Sequence, residues 1–380
     1  MNPSSPLVHI TTVHTRRDVR IFLKEAKSLR ELRREVILIV ADDLGDEPAD
    51  THGVRFVDIG RPKNRLARAA QGTVPIFKAV RKLKPAIVHF HDPELIPVGL
   101  ALKTFGYTVI YDVHEDVPQQ ILTKHWIPRP LRWTVSKAVA AIEFVAKRSF
   151  DAFVTATPHI ASKFPHARAI AIQNYPIPDE LLPAQAGEYR TRPPHVVYAG
   201  GVTEQRGGRK MVEAMTLVSS RLPNARLTWA GLFVPAAYER ELRGLQGWQA
   251  VDYHGLVDRT ALAELFGRAR AGLVVFQPSP NHIESQPNKL FEYMAAGMPV
   301  VASDFPLWRE IVENAGCGLL VDPEKPAAIA DAITWLLEHP VEAEAMGRRG
   351  QVAVNEIYNW PSEAKKLTNL YRTLLSNRSH

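Results

Sequence analysis

Hydrophobic residues along this chain fall into short runs, and the longer stretches between them carry apolar positions at helical spacing. The runs, such as Ile87-Val-His-Phe and Val196-Val-Tyr-Ala, are apolar throughout rather than strictly alternating. That pattern is typical of strands whose two faces are both covered by helices. Seven runs in the first half and six in the second predict strands. Their alternation with helices predicts parallel sheets with right-handed crossovers.

Proline and polar residues crowd the segment from Tyr175 to His195, as a linker between domains requires. The sequence therefore predicts an α/β fold with two doubly wound Rossmann-like domains facing across a cleft, the first at 1–180 and the second at 181–358. Ligands are expected beyond the carboxyl ends of the strands. The predicted helices are Val19–Arg33, Leu66–Leu83, Leu95–Thr104, Leu131–Ser149, Arg209–Ser220, Arg259–Arg268, Asn288–Ala296, Leu307–Asn314 and Pro326–Leu337.

The composition, with 46% hydrophobic and 23% charged residues among 380, is that of a soluble globular protein. No apolar run is long enough to span a membrane, and the N-terminal residues do not read as a secretory signal. The single cysteine, Cys317, excludes an internal disulfide and fits a reducing compartment. We therefore expect a cytoplasmic protein.

The net charge of +7 is unevenly distributed. Residues 1–185 contain 26 basic and 19 acidic residues, whereas residues 186–380 contain 21 of each. This asymmetry suggests an anionic partner for the first half, such as a membrane surface, a phosphorylated acceptor or nucleic acid. Nucleic acid is disfavoured because the same half carries many acids and no recognised binding module.

The stretch from Glu284 to Asp304 carries two carboxylates, Glu284 in a predicted loop and Glu292 in the early turns of a predicted helix. Pro287 suits the helix start, and Gly297 ends the helix. Free N–H groups and a partial positive charge at such a helix start are suited to a phosphate. The alternative is a surface helix with two solvated glutamates.

Polar, titratable residues gather where three predicted strands of the first half end. They are His14 with Asp18 and Arg20, then His89, His91 and Asp92, then Asp112, His114 and Asp116. A ligand-facing role is predicted for His114, because histidine can contact sugar hydroxyls and stabilise charge near neutral pH. Asp92 and Asp116 suit helix capping. A metal hydrolase built on His89 and His91 is a third interpretation, although no compact metal motif is present.

Basic residues and two tryptophans are interleaved between Lys124 and Arg148. Such a segment can lie on an anionic bilayer, although such a run is more often a solvated helix with its apolar side in the core.

The second domain opens with a strand that ends in Gly200 and Gly201 and is followed by Arg206. Glycine lets a phosphate approach the backbone closely, and arginine can bind it bidentately. The spacing is not that of a dinucleotide-binding turn.

Together these features resemble glycosyltransferase family 4, whose members have the GT-B fold. The resemblance covers nearly the whole chain and is sharpest over Glu284–Asp304. There seven residues separate Glu284 from Glu292, and Glu292 lies within the run Asn-Lys-Leu-Phe-Glu-Tyr-Met-Ala-Ala-Gly-Met-Pro-Val. His89-Phe-His-Asp, the strand ending in His114 and the tail Tyr358-Asn-Trp are also similar. It implies that a C-terminal helix within 359–380 crosses back to the first domain.

The resemblance also implies roles for individual residues. Glu292 would hold the ribose of a nucleoside diphosphate sugar, and Glu284 would lie by the transferred sugar. Backbone amides at Asn288, Lys289 and Leu290 would meet the diphosphate together with Gly200, Gly201 and Arg206. His114 would touch the sugar and the reaction centre, and His14 and His91 lie on the acceptor side. The family often has Gly-Arg where this chain has Gly200-Gly201, so one phosphate cation is missing. Either Arg206 alone compensates, or Arg209 or Lys210 does so together with it.

The implied reaction is a retaining transfer of the sugar to an acceptor hydroxyl, in surface polysaccharide or glycolipid biosynthesis. No Asp-x-Asp occurs, so no metal or other cofactor is expected. The basic first domain suits a lipid-linked acceptor at an anionic membrane surface, with the protein peripheral on the inner face. A nucleotide-sugar epimerase of the same fold and a non-catalytic sugar-nucleotide-binding protein are the alternatives.

Overall fold

The computed structural model describes residues 5–61, 73–123, 127–182 and 188–377. The chain forms two compact units. The first comprises Met1–Asn174 together with Pro361–His380, and the second comprises Tyr175–Trp360. The start of the predicted helix Leu66–Leu83, and Lys124 and Trp126 of the basic segment, lie outside the described residues.

The first unit contains a seven-stranded parallel sheet with the order β3-β2-β1-β4-β5-β6-β7. Its strands are β1 Leu7–Ile10, β2 Val36–Val40, β3 Val54–Asp58, β4 Ile87–Phe90, β5 Thr108–Val113, β6 Ala152–Thr155 and β7 Ala169–Ala171. Its helices are α1 Val19–Ala26, which has π-type turns, α2 Thr73–Leu83, α3 Ile96–Thr104, α4 Val117–Thr123, α5 Arg129–Ser149 and α6 Pro158–Ala161. Short 3-10 turns lie at Leu29–Leu32 and Pro93–Leu95.

The second unit contains a six-stranded parallel sheet with the order β10-β9-β8-β11-β12-β13. Its strands are β8 His195–Ala199, β9 Arg226–Ala230, β10 Val251–Gly255, β11 Ala271–Val274, β12 Val300–Ser303 and β13 Gly318–Val321. Its helices are α7 Gly208–Arg221, α8 Tyr238–Arg243, α9 Arg259–Arg268, α10 Pro280–Ile283, α11 Asn288–Ala295, α12 Pro306–Ala315, α13 Pro326–Glu338 and α14 Pro340–Glu356. Short 3-10 turns lie at Tyr189–Thr191 and Gln246–Ala250.

The last helix, α15 Trp360–Ser376, belongs almost entirely to the first unit. Its Tyr371 is fully buried and hydrogen-bonds to histidines of β1 and β4. Burial of this large aromatic ring and its satisfied hydroxyl hold the helix against the sheet.

The two sheets each reverse their strand order at one point, between β1 and β4 in the first unit and between β8 and β11 in the second. Because crossovers run in opposite directions there, the loops after these strands diverge and leave room for a ligand. The central strands are buried along their whole length, with β1, β2 and β4 inaccessible at every position. Among the described residues, no helix combines the length and the apolar character needed to cross a membrane.

Candidate active site

The glycine turn after β8 lies at the switch point of the second sheet. Gly200 has φ +130°, a conformation that favours glycine, and a Cβ there would lie 2.5 Å from Lys289 Nζ. The missing side chain is therefore what lets the lysine of α11 reach the backbone of this turn. Sequence reasoning placed both residues at the donor site, although it assigned only the backbone of Lys289 to the phosphates.

A second cation, Arg206, lies at the same turn. Its Nη1 donates to the Gly201 carbonyl at 3.3 Å, and its guanidinium lies over the Phe276 ring at 5.8 Å from the centroid. The Lys289 ammonium lies 5.6 Å from the centroid of the same ring. Burial, followed by repulsion from Arg206, lowers the pKa of Lys289 to about 8. No ion pair among the described residues involves either cation, so the positive charge of the turn is offset only in part, by the attraction of Glu292 for Lys289.

The two residues suggested as replacement cations are engaged elsewhere. Arg209 pairs with Glu241 and Glu213, and Lys210 pairs with Glu213 at 3.3 Å. Lys289 therefore supplies the second cation at the glycine turn.

The start of α11 offers backbone donors to the same region. Pro287 precedes the helix without a side-chain cap, and Asn288 is exposed. The amide of Leu290 donates to the Pro287 carbonyl at 3.1 Å. The first-turn amides that have no acceptor within the described part of the chain are those of Asn288 and Lys289. These amides and the helix dipole add to the positive potential.

Glu292, one turn further along α11, is held by an arginine that sequence reasoning missed. Arg259 Nη1 donates to Glu292 Oε1 at 2.8 Å, and its other nitrogens bind both oxygens of Glu180 at 3.0 and 2.7 Å. Burial disfavours the charged form of Arg259, but the attraction of the Glu180 and Glu292 carboxylates is stronger and raises its pKa. Arg259 is the first residue of α9, directly after the helix cap Asp258, and nothing in the sequence around it indicated a functional role.

Glu284 ends the short helix α10 and is exposed. The following loop is fixed by Trp308, whose indole N–H donates to the Ser285 carbonyl at 2.7 Å. The two predicted acids therefore differ in setting, because Glu292 is clamped by an ion pair and Glu284 is solvent-facing.

In the first unit, Asp92 organises the loop after β1. Its Oδ2 accepts from the hydroxyls of Thr11 and Thr12, each at 3.1 Å, and from the amide of Val13 at 3.3 Å. It makes no helix-capping bond, so its structural role differs from the predicted cap. Asp116 does cap α4, accepting from the Gln119 amide at 3.1 Å.

His14 lies at the tip of this loop, between two carboxylates. Its Nδ1 is 3.5 Å from Asp18 Oδ2 and its Nε2 is 3.7 Å from Asp92 Oδ1. The hydrogen bond to Asp18 raises the pKa of His14 against the effect of burial. The His14 and His114 rings lie 5.4 Å apart, and both are partly exposed.

His91 and His114 share one carboxylate, the buried Asp112. His114 Nε2 lies 3.1 Å and His91 Nδ1 lies 3.0 Å from Asp112 Oδ2. Arg20 binds the same carboxylate through Nε at 3.2 Å and Nη2 at 3.0 Å. His91 is buried, whereas His114 is 23% exposed, so His114 is the member of this group that a ligand can reach.

Histidines and acids that could hold a metal ion come together in two groups of the described residues. They are His9, Glu25, His89 and His91, and the overlapping set His91, Asp112 and His114. In the first group only the Glu25 oxygens and His89 Nε2 lack hydrogen-bond partners among the described residues. The other ring nitrogens are used in hydrogen bonds, so two ligands remain, fewer than the three or four protein ligands of zinc sites.

Comparison with known proteins identifies the family. The family model described as glycosyl transferases group 1 matches residues 193–339, and the glycosyl transferase 4-like domain matches residues 19–173. The phosphatidyl-myo-inositol mannosyltransferase of Mycobacterium leprae is 30% identical over 300 residues, which cover 77% of this chain and 75% of that protein. The chain belongs to glycosyltransferase family 4. The predicted resemblance is confirmed, and this family 4 member is a nucleotide-sugar-dependent glycosyltransferase.

Solved structures confirm the predicted GT-B fold of the family 4 enzyme. Sucrose-phosphate synthase from Thermosynechococcus elongatus superposes with a TM-score of 0.78 at 18% identity, covering 98% of this chain and 100% of that one. Anabaena HepE in complex with UDP and glucose gives a TM-score of 0.74 at 13% identity, covering 97% and 100%.

Proposed function

We propose that this enzyme is a retaining glycosyltransferase that moves a sugar from a nucleoside diphosphate sugar to an acceptor hydroxyl. The observation that carries the proposal is the pair of cations, Lys289 and Arg206, at the Gly200 turn. Two neighbouring cations with no carboxylate partner among the described residues need an anion, and a diphosphate at a helix start and a glycine turn supplies it. Anabaena HepE, which has the same fold, was solved in complex with UDP and glucose, and this supports a nucleotide-sugar donor.

The donor residues then have distinct tasks. Lys289, Arg206 and the open amides of α11 hold the diphosphate and stabilise its charge as it leaves. Glu292, oriented by Arg259, accepts hydrogen bonds from the ribose hydroxyls. Glu284 contacts the transferred sugar.

In the first unit, His114 contacts the sugar at the reaction centre. His14 lies on the acceptor side, and His91 belongs to the same side but is buried beneath the surface.

The transfer breaks the bond between the anomeric carbon and the diphosphate oxygen and forms a bond from that carbon to the acceptor oxygen on the same face. The acceptor hydroxyl proton passes to the leaving phosphate. Because Lys289 and Arg206 stabilise the charge of the leaving diphosphate, we propose that the reaction needs no divalent metal. Proton NMR of the first product would show the donor's anomeric configuration, and an inverted anomer would refute retention.

The experiment that tests donor binding is a panel of nucleoside diphosphate sugars scored by protection against thermal unfolding. Lys289→Met and Glu292→Ala should weaken the best donor by about 10- to 150-fold, because each loses a hydrogen bond to a charged group. Lys210→Met is the matched control, since that lysine pairs with Glu213. Undiminished binding by both site variants would refute the donor site.

Product analysis separates the alternatives. A glycosyltransferase releases nucleoside diphosphate only when an acceptor hydroxyl or water takes the sugar. An epimerase would convert the donor sugar with no acceptor, and a non-catalytic binding protein would bind donor and release nothing.

We also propose that the acceptor is lipid-linked and that helix α5 rests on the anionic inner surface of a membrane. The outer face of α5 exposes large apolar side chains, among them Leu131 at 53%, Trp133 at 65% and Phe144 at 55%. Lys137 and Arg148 lie against the Trp133 and Phe144 rings. The one acid of the helix, Glu143, is buried on the opposite face. An apolar face with basic residues and no exposed acid fits a phospholipid surface.

Vesicle co-sedimentation tests the membrane proposal. We expect binding to vesicles containing phosphatidylglycerol and much weaker binding to pure phosphatidylcholine. Replacing both Lys137 and Arg148 with Glu should abolish it, whereas Lys82→Glu, an exposed control on α2, should not. Equal binding by the α5 variant and the control would refute it.

A further inference from the structure

A continuous line of hydrogen-bonded side chains runs through the first unit from the C-terminal helix to His114. It joins Tyr371 Oη to His9 Nε2 at 3.1 Å, His9 Nδ1 to His91 Nε2 at 2.9 Å, His91 Nδ1 to Asp112 Oδ2 at 3.0 Å and Asp112 Oδ2 to His114 Nε2 at 3.1 Å. His89 Nδ1 joins the line at Tyr371 Oη, 2.9 Å away. All of these groups except His114 are buried.

The carboxylate of Asp112 gives the line its direction. Burial opposes ionisation, but Arg20, bound through two nitrogens, holds the pKa of Asp112 well below its usual range. An ionised carboxylate only accepts hydrogen bonds. Both His91 and His114 therefore donate to Asp112.

The proton positions follow in order from that end. Burial lowers the pKa of His91 and of His9, so each ring is neutral with one donor and one acceptor. His91 donates through Nδ1 and so accepts at Nε2 from His9 Nδ1. His9 then accepts at Nε2 from the Tyr371 hydroxyl, whose oxygen accepts from His89 Nδ1. Every donor in the line points toward Asp112.

The geometry points to Asp112 as a positioning residue that fixes His114 in the tautomer with its proton on Nε2. His114 then presents Nδ1 as a hydrogen-bond acceptor, which orients a hydroxyl of the acceptor or of the transferred sugar. The other hydrogen bonds to Asp112 come from Arg20 and from His91, whose protons are fixed in place. Asp112 therefore remains an acceptor toward His114. This assignment rests on the proposed role of His114 at the reaction centre.

The tautomer can be read directly in the wild-type enzyme. In protein labelled with ring-¹⁵N histidine at pH 8, we expect the His114 spectrum to show a protonated Nε2 and an unprotonated Nδ1. A His114→Gln variant identifies the signal by removing it. Protonated Nδ1 in the wild type would overturn the proposal, and this arm depends on neither donor nor activity.

Asp112→Asn supplies the kinetic arm. The amide can face its N–H toward His114, so the tautomer should change, and kcat should fall roughly 10- to 100-fold at nearly constant donor KM. Asp42→Asn is the matched control, because it removes a bidentate pair with Arg16 in the same unit. It should leave the His114 tautomer and kcat unchanged.

The spectroscopic test and the kinetic test can fail independently of each other. If Asp112→Asn does not fold, the wild-type spectrum still decides the tautomer. A lost kcat with an unchanged His114 tautomer would overturn the positioning role, whereas a fixed tautomer in an enzyme that binds no donor would refute the donor site alone.

Discussion

Replacing Glu25 with glutamine should stabilise the first unit at neutral pH. Glu25 is fully buried, and its carboxyl group lies beside the carboxylate of Asp112. Arg20 Nε lies 3.0 Å from Oε1, but the same guanidinium already binds Asp112 bidentately. Burial and the Asp112 charge therefore raise the pKa of Glu25 well above its ordinary value. The folded protein therefore holds the Glu25 proton to a higher pH than the unfolded chain does.

The magnitude follows from proton linkage. The unfolded chain releases this proton above about pH 4.3, whereas the folded chain retains it up to the raised pKa. A raised carboxyl pKa therefore costs no stability below about pH 4.3 and lowers the free energy of unfolding by about 1.4 kcal/mol per pH unit above it. Glutamine copies the neutral acid without that loss. Between about pH 4.3 and the raised folded pKa, its advantage over wild type should therefore grow by about 1.4 kcal/mol per pH unit.

The assay compares urea unfolding of wild type and Glu25→Gln from pH 5 to pH 7. Hydrogen exchange of peptides from 86–113 follows the first unit separately from the second. Glu47→Gln is the control, because that carboxylate is 35% exposed beside Arg16 and should change stability by under about 1 kcal/mol. Parallel pH curves for wild type and Glu25→Gln would show that Glu25 is ionised in the fold and would refute the reasoning.

Three further outcomes are expected. Arg259→Gln should weaken donor binding by about 10-fold, measured by calorimetry, because Glu292 loses the ion pair that orients it. Gly200→Ala should reduce donor protection in the thermal assay, since its Cβ would displace Lys289; intact protection would count against this packing. Gly272→Ala should lower the melting temperature, because its Cβ would lie 2.2 Å from the Tyr293 ring, and overpacking costs about 1–3 kcal/mol.

The sequence was most informative where one residue type decides the local structure. Every predicted strand is present, and the central strands β1, β2 and β4 are buried along their whole length, which favours apolar runs. The glycine turn at Gly200 and the helix start at Asn288 were likewise readable, since backbone conformation and missing side chains act locally.

Helix α14 was missed for a physical reason. Two glycines, Gly347 and Gly350, make its 17 residues read as a loop. A Cβ at Gly347 would lie 2.1 Å from the Gly297 carbonyl, so glycine there serves close packing rather than a turn. Only the folded structure shows that use.

The line of histidines was unreadable for a different reason. Tyr371 and His9 are 362 positions apart, and their hydrogen bond exists only because α15 joins the first unit. His9 and His89 do face each other in register on β1 and β4. A histidine inside a strand that is otherwise fully apolar is the signal that could have marked it.

The lowered pKa of Lys289 reduces the repulsion between Lys289 and Arg206 at the proposed donor site. With a pKa of about 8, Lys289 is protonated in most molecules at neutral pH but neutral in a fraction of them, and in that fraction the repulsion from Arg206 is absent. An arriving diphosphate stabilises the ammonium form, so donor binding takes up a proton in proportion to the fraction of neutral lysine. Above about pH 8 the proton concentration of the solution becomes limiting for this uptake. The affinity for the donor should therefore decline with each further pH unit. Donor binding therefore restores the positive charge of Lys289, which in turn helps to bind the diphosphate.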